Sequence, residues 1–149
     1  MNPVKRLGLA VLVLILGAVL AASPALAGGK EAVTYRYNLA PPQTDPPEPR
    51  ASGRWTKTVN AAYPYAGTHV EASCTRLTVG KQYQVLALVS WNDIWGNSGS
   101  YWTGVTSTAD GKGRLDAQFD VEALWGEQFV YVTDLRVYSD QGVVLETER

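Results

Sequence analysis

The chain holds a single cysteine, Cys74, and a single histidine, His69. One cysteine closes no disulfide within the chain, so a folded domain here must rest on its core. One His and one Cys fall short of the three or four protein ligands that zinc takes. They lie five residues apart in one strand-like stretch, and an odd separation puts them on opposite faces. A Ser-His-Asp triad would have to use His69, and no Gly-x-Ser-x-Gly elbow is present. Lys and Arg are not clustered and the net charge is only −1, which argues against a nucleic-acid partner. Neither a catalytic constellation nor a cofactor motif is visible, so no enzyme, cofactor or metal is expected.

Long apolar runs are scarce too. The only one, Leu7 to Ala22, follows Lys5 and Arg6 and ends at Ser23-Pro24 and Ala25-Leu26-Ala27. A short basic stretch, an apolar stretch and an Ala-x-Ala site in that order make a secretory signal peptide over residues 1–27. The run has about 16 residues, below the roughly 18 to 20 that span a bilayer. Cleavage between Ala27 and Gly28 leaves 122 of the 149 residues, and loss of Lys5 and Arg6 takes the charge from −1 to −3. The expected mature protein is exported, mildly acidic and not bound to a membrane.

Two regions follow. Residues 28–52 read as a Pro-rich leader. Val33 to Leu39 is β-branched and aromatic and suits one strand. Pro41, Pro42, Pro46, Pro47 and Pro49 then bar both helix and ladder, leaving an extended linker. Whether the leader docks as an additional strand is open at this level. Residues 53–149 alternate as strands. Tyr83, Val85, Ala87, Val89 and Trp91 share a face, and Leu86 and Leu88 take the other, which predicts a central strand covered on both sides. Asp110-Gly111-Lys112-Gly113 is a tight turn. Beyond it Leu115, Ala117, Phe119 and Val121 alternate with Asp116, Gln118, Asp120 and Glu122, a strand with one wet face. A loop carrying Trp125 precedes a long strand from Phe129 to Tyr138, and Val143 to Thr147 makes the last. About seven strands with no amphipathic helix predict an all-β domain, an antiparallel β-sandwich, with a closed barrel as the alternative.

Leu77-Thr78-Val79-Gly80-Lys81-Gln82-Tyr83-Gln84-Val85 resembles the Leu-x-x-Gly-x-x-Tyr-x-Val signature of fibronectin type III and immunoglobulin-like domains. The resemblance implies a tyrosine corner, with the Tyr83 hydroxyl bonding back to the upstream backbone and Gly80 in the turn. It departs from the fibronectin order, since about four strands follow the corner here. The segment is also similar to a Leu-x-x-Gly-Lys-x-Tyr stretch of jelly-roll carbohydrate-binding modules. That likeness implies glycan binding through exposed aromatics.

The segment Trp91 to Trp102 holds three Trp and a Tyr around a polar, Gly-rich loop. Trp95 and Trp102, with Asn92 and Asp93, are the candidate ligand-binding residues. A flat indole covers the C–H face of a pyranose while amide and carboxylate groups bond its hydroxyls. The same residue types dominate protein-binding hot spots, and they also close cores. Asp93 alone carries charge in the loop, too little for calcium. Asp116, Asp120 and Glu122 share a strand face with Arg114 and Gln118, a pattern that keeps a surface wet. Cys74 alternates with Val70 and Ala72 and is expected to be a small buried hydrophobe. The expected function is a non-catalytic structural or protein-interaction role, and the alternative is a carbohydrate-binding module using residues 91–102. Partners are accordingly a protein or a glycan.

Overall fold

The computed structural model describes residues 32–60, 67–122 and 127–149, with the backbone alone at 60 and 127–129. The expected signal peptide, its cleavage site and Trp125 lie outside the described residues. Ala32–Arg149 forms one compact unit. It contains β1 (Ala32–Ala40), β2 (Ser52–Asn60), β3 (Thr68–Thr75), β4 (Gln82–Asp93), β5 (Ser98–Thr108), β6 (Leu115–Val121), β7 (Glu127–Ser139) and β8 (Gly142–Thr147). There is no helix among the described residues.

All eight strands join one sheet in the order β5-β4-β7-β8-β1-β2-β3-β6, and every pairing is antiparallel. The sheet curls until its end strands, β5 and β6, meet at the turn that joins them, nearly closing like a barrel. Alternation decides which side faces in. Val70, Ala72 and Cys74 of β3 are buried while Glu71 and Ser73 are exposed. Leu115, Ala117 and Val121 of β6 are buried, Phe119 is half-buried, and Asp116, Gln118 and Asp120 are exposed. In β4, Tyr83, Val85, Ala87 and Val89 are at most 1 % exposed. Leu86 and Leu88 on its other face are only half-buried, so the cover expected on both sides is partial on the second.

The eighth strand is β1, which lies in the stretch read as a leader. It sits inside the sheet, between β8 and β2, with Leu39 opposite both Thr147 and Gly53. Leu39 and Ala51 are each 3 % exposed, and Tyr37 stacks on the buried Trp55 with ring centroids 4.5 Å apart. The compact unit therefore begins at Ala32 rather than at residue 53. The prolines do end the strand, as their missing N–H groups require.

The connections 41–51, 76–81, 109–114 and 140–141 gather at one end and are tied together. The Tyr83 hydroxyl accepts from the Thr78 N–H at 3.0 Å, which is the bond a tyrosine corner calls for. It donates at 2.5 Å to Glu48, whose carboxylate also accepts from the Thr78 N–H and hydroxyl at 3.1 and 3.0 Å. Glu48 thus pins the Pro-rich segment to the corner. Gly80 turns there with φ of 72° and donates to the Ala109 carbonyl at 3.0 Å. Gly113 is required outright, since a Cβ there would stand 2.5 Å from the Leu77 carbonyl oxygen. Cys74 is 1 % exposed, faces inward, and burial pushes its thiol up to about 12. The β4–β5 hairpin tip is at the opposite end of the sheet.

Candidate functional site

The β4–β5 hairpin turns through Asp93 to Ser98. A turn this tight needs one residue with positive φ and a local acceptor for its crowded N–H groups. Gly96 supplies the first, at φ 85°. Asp93 supplies the second. Its Oδ1 accepts from the backbone N–H groups of Trp95 and Asn97, both at 2.8 Å, and its Oδ2 accepts from the Asn97 side-chain amide at 2.7 Å. These bonds, the Asn97 amide first, hold the Asp93 carboxyl below its ordinary range. A carboxylate that already accepts three hydrogen bonds is turn chemistry, so Asp93 shapes the loop.

The fixed turn lifts its apolar residues into solvent. Trp95 is 70 % exposed and Ile94 is 61 % exposed, the two most exposed large hydrophobics among the described residues. Asn92 lies exposed on β4, opposite Ser98. Trp91 points inward, and its ring would lie 3.0 Å from a Cβ on Gly99. It packs on the core and is not part of the tip.

Trp102 sits elsewhere. It lies opposite Leu88 on the outer face of the sheet, four residues from Ser98, or roughly 13 Å along the strand. A single pyranose cannot stack on both Trp95 and Trp102. The two expected aromatics are therefore separate features. Trp102 is 37 % exposed, edge-on to Tyr138 at 6.5 Å, and the Arg136 guanidinium lies 5.1 Å from its ring centroid.

Arg136, Asp134 and Glu146 were not singled out from the sequence. Asp134, Arg136 and Tyr138 alternate with Leu135 and Val137, which is the signal that could have found them. Asp134 is only 8 % exposed. Its Oδ2 lies 3.6 Å from the Arg136 Nε, which is buried and makes no hydrogen bond among the described residues. Tyr138 first, then Asp134 and Glu146, hold the guanidinium even more firmly protonated than usual. Asp134, Arg136 and Glu146 line an open groove of about 580 Å3 with Ala40, Gln43 and Thr147.

Two further polar clusters join β3 to β6. His69 bonds Asp120 at 2.7 Å and approaches Glu71 at 3.4 Å, on the face opposite Cys74. The Asp120 hydrogen bond leads in raising its pKa. Asp116 accepts from the Ser73 hydroxyl at 2.5 Å. Among the described residues no group of three or more His, Cys, Asp or Glu is placed to hold a metal ion. No family model, no curated protein and no solved structure matches this chain.

Proposed function

We propose that the chain is an exported, non-catalytic, β-sandwich-like binding domain that holds a protein partner through Trp95 and Ile94. Export rests on the order of residues 1–27. The observation that carries the binding reading is the tip itself, a 70 % exposed Trp95 on a turn fixed by Asp93. A preformed turn loses little conformational freedom on binding. Asp93 and the Asn97 amide are spent inside the turn, and an indole and a branched four-carbon side chain face outward. Such a pair fills an apolar pocket, as Trp does at interface hot spots, and offers few bonds to sugar hydroxyls.

The glycan reading moves to a different place. Its support is the groove beside Arg136, where Asp134, Glu146 and Gln43 offer polar atoms and Trp102 adjoins through Arg136. One experiment separates the two. Immobilised mature wild type, Trp95→Ala and Trp102→Ala are exposed to extracytoplasmic proteins and to a polysaccharide panel. The tip reading expects a protein retained by the wild type and by Trp102→Ala, and bound about 30-fold more weakly by Trp95→Ala, the effect of a hot spot worth ~2 kcal/mol. Polysaccharide retention lost in Trp102→Ala alone would favour the groove. Equal protein retention by all three would refute the tip.

A further inference from the structure

The outer face of β1, β2, β3 and β6 is polar, and side-chain bonds between strands knit most of it together. Thr34 pairs with Thr58 at 2.9 Å, Ser52 with Thr75 at 3.2 Å, Ser73 with Asp116 at 2.5 Å and His69 with Asp120 at 2.7 Å. One square on β1 and β2 stands apart. Arg36 lies opposite Thr56 and Asn38 opposite Arg54, so the two arginines are diagonal neighbours on adjacent strands. Alternation turns this square outward, away from Tyr37, Leu39 and Trp55. Arg36, Asn38 and Arg54 are exposed and Thr56 is half-buried. Among the described residues none of these side chains makes a hydrogen bond, and neither arginine has an ion pair. Glu71, opposite Thr56 on β3, approaches His69 at 3.4 Å instead. Glu148 bonds the Asn38 carbonyl through its N–H at 3.1 Å and pairs with neither arginine. Two like charges thus stand side by side on a protein whose net charge is −1. A shallow depression of about 320 Å3 opens there, lined by Arg36, Arg54, Thr56, Glu71 and Ser73.

We propose that Arg36 and Arg54 form a binding site for a tetrahedral oxyanion, a sulfate or phosphate group taken as the free ion or as an ester. Diagonal neighbours on paired strands stand roughly 7–8 Å apart, so both guanidinium groups can reach one group between them. Each guanidinium donates two parallel N–H bonds to such a group, and the charge shortens and strengthens them. One guanidinium already satisfies the two oxygens of a carboxylate. Two of them, approaching from neighbouring strands, need more acceptor oxygens than that, and a tetrahedral dianion has them. The Thr56 hydroxyl and the Asn38 amide, one opposite each arginine, are further donors at the same place. Like charges on paired strands repel, and an anion between the arginines removes that repulsion. Glu71 on one flank and Glu148 on the other repel a dense run of negative charge, so the site suits a single anionic group rather than a polyanion.

The test is an NMR titration of the mature protein with inorganic sulfate, inorganic phosphate, glucose 6-sulfate, glucose 6-phosphate and glucuronate. The tetrahedral anions should shift the resonances of Arg36, Arg54 and Thr56 and saturate, and glucuronate should bind more weakly. Esters that bind more tightly than the free ions identify the source as an ester, and equal affinities identify the free ion. Arg36→Gln combined with Arg54→Gln should weaken binding at least about tenfold. Arg50→Gln combined with Arg114→Gln removes the same charge from exposed positions elsewhere and should leave the affinity within about twofold. Circular dichroism reports whether each variant keeps the fold. Trp95→Ala should bind like the wild type, which keeps this site distinct from the hairpin tip. A wild type that saturates with none of the tetrahedral anions overturns the proposal. So does glucuronate binding as tightly as the esters, or an equal loss in both arginine double variants, which would mark general attraction and not a site.

Discussion

Replacing Tyr83 by Phe removes a single hydroxyl from the corner and leaves the ring in the core. Tyr83 is 1 % exposed, and its hydroxyl donates to Glu48 at 2.5 Å and accepts from the Thr78 N–H at 3.0 Å. The Thr78 N–H keeps a second acceptor in Glu48 at 3.1 Å, so the variant strands no donor. What is lost is one hydrogen bond to a charged group, worth about 1.5–3 kcal/mol. The proton equilibrium sets how this contribution depends on pH. Burial first, and then the bond to Glu48, raises the phenol from 10.0 to about 12. The fold therefore disfavours the phenolate by an amount on the order of 3 kcal/mol. A raised pKa favours the protonated form in the folded state. The contribution is therefore whole below pH 10 and is lost as the pH climbs through about 12. Urea denaturation at intervals from pH 8 to 12 measures both. Wild type should exceed Tyr83→Phe by about 2–3 kcal/mol at pH 8 with unchanged m, and the gap should close towards pH 12. Lysines and the other tyrosines titrate in both proteins and cancel in the difference. A gap under about 0.5 kcal/mol at pH 8, or one that stays constant to pH 12, would show that the corner does not hold the fold as described.

Two further outcomes follow from packing. Gly104→Ala sets a Cβ 1.9 Å from the Val85 carbonyl oxygen, and only a shift of β5 off β4 relieves it. Thermal denaturation should show a loss of about 3 kcal/mol or more, whereas Gly111→Ala, with nothing within 4 Å, should stay within about 0.5 kcal/mol. Cys74 is buried with its thiol pushed up to about 12, so a thiol reagent at neutral pH should label it only at the rate of unfolding. Rapid labelling of the native protein would place Cys74 on the surface.

The strands were legible where one face is wet. β3 and β6 announce themselves by strict alternation, because a half-buried strand must switch polarity at every residue. The turn at Asp110 to Gly113 and the corner at Tyr83 were readable for the same local reason, since their bonds close within a few residues. The place of β1 was not. Its partners lie 14 or more and more than 100 residues further along the chain, as in Leu39↔Gly53 and Leu39↔Thr147. Nothing local distinguishes a strand that docks from a strand that leads nowhere. Glu48 had the same obscurity, being one acid in a run of prolines until Tyr83 and Thr78 come to meet it. At the candidate site, composition offered Asp93 as a ligand-binding residue, and only the fold shows the three donors that converge on it in the turn. Trp102 and Trp95 looked like one cluster in sequence, and the hairpin drew them apart.

By itself the amino-acid sequence determined the class of the fold, the inward set of each amphipathic strand and the burial of Cys74. These depend on the two-residue period of a strand and on the cost of leaving apolar surface in water, both of which act within one segment. Tertiary structure decided what depends on two segments meeting. It admitted β1 to the sheet and tied Glu48 to the tyrosine corner. It set Arg136 over Trp102 and raised Trp95 into solvent. Strand order is a matter of long-range pairing, and a strand's own residues do not say which side of it will be left open.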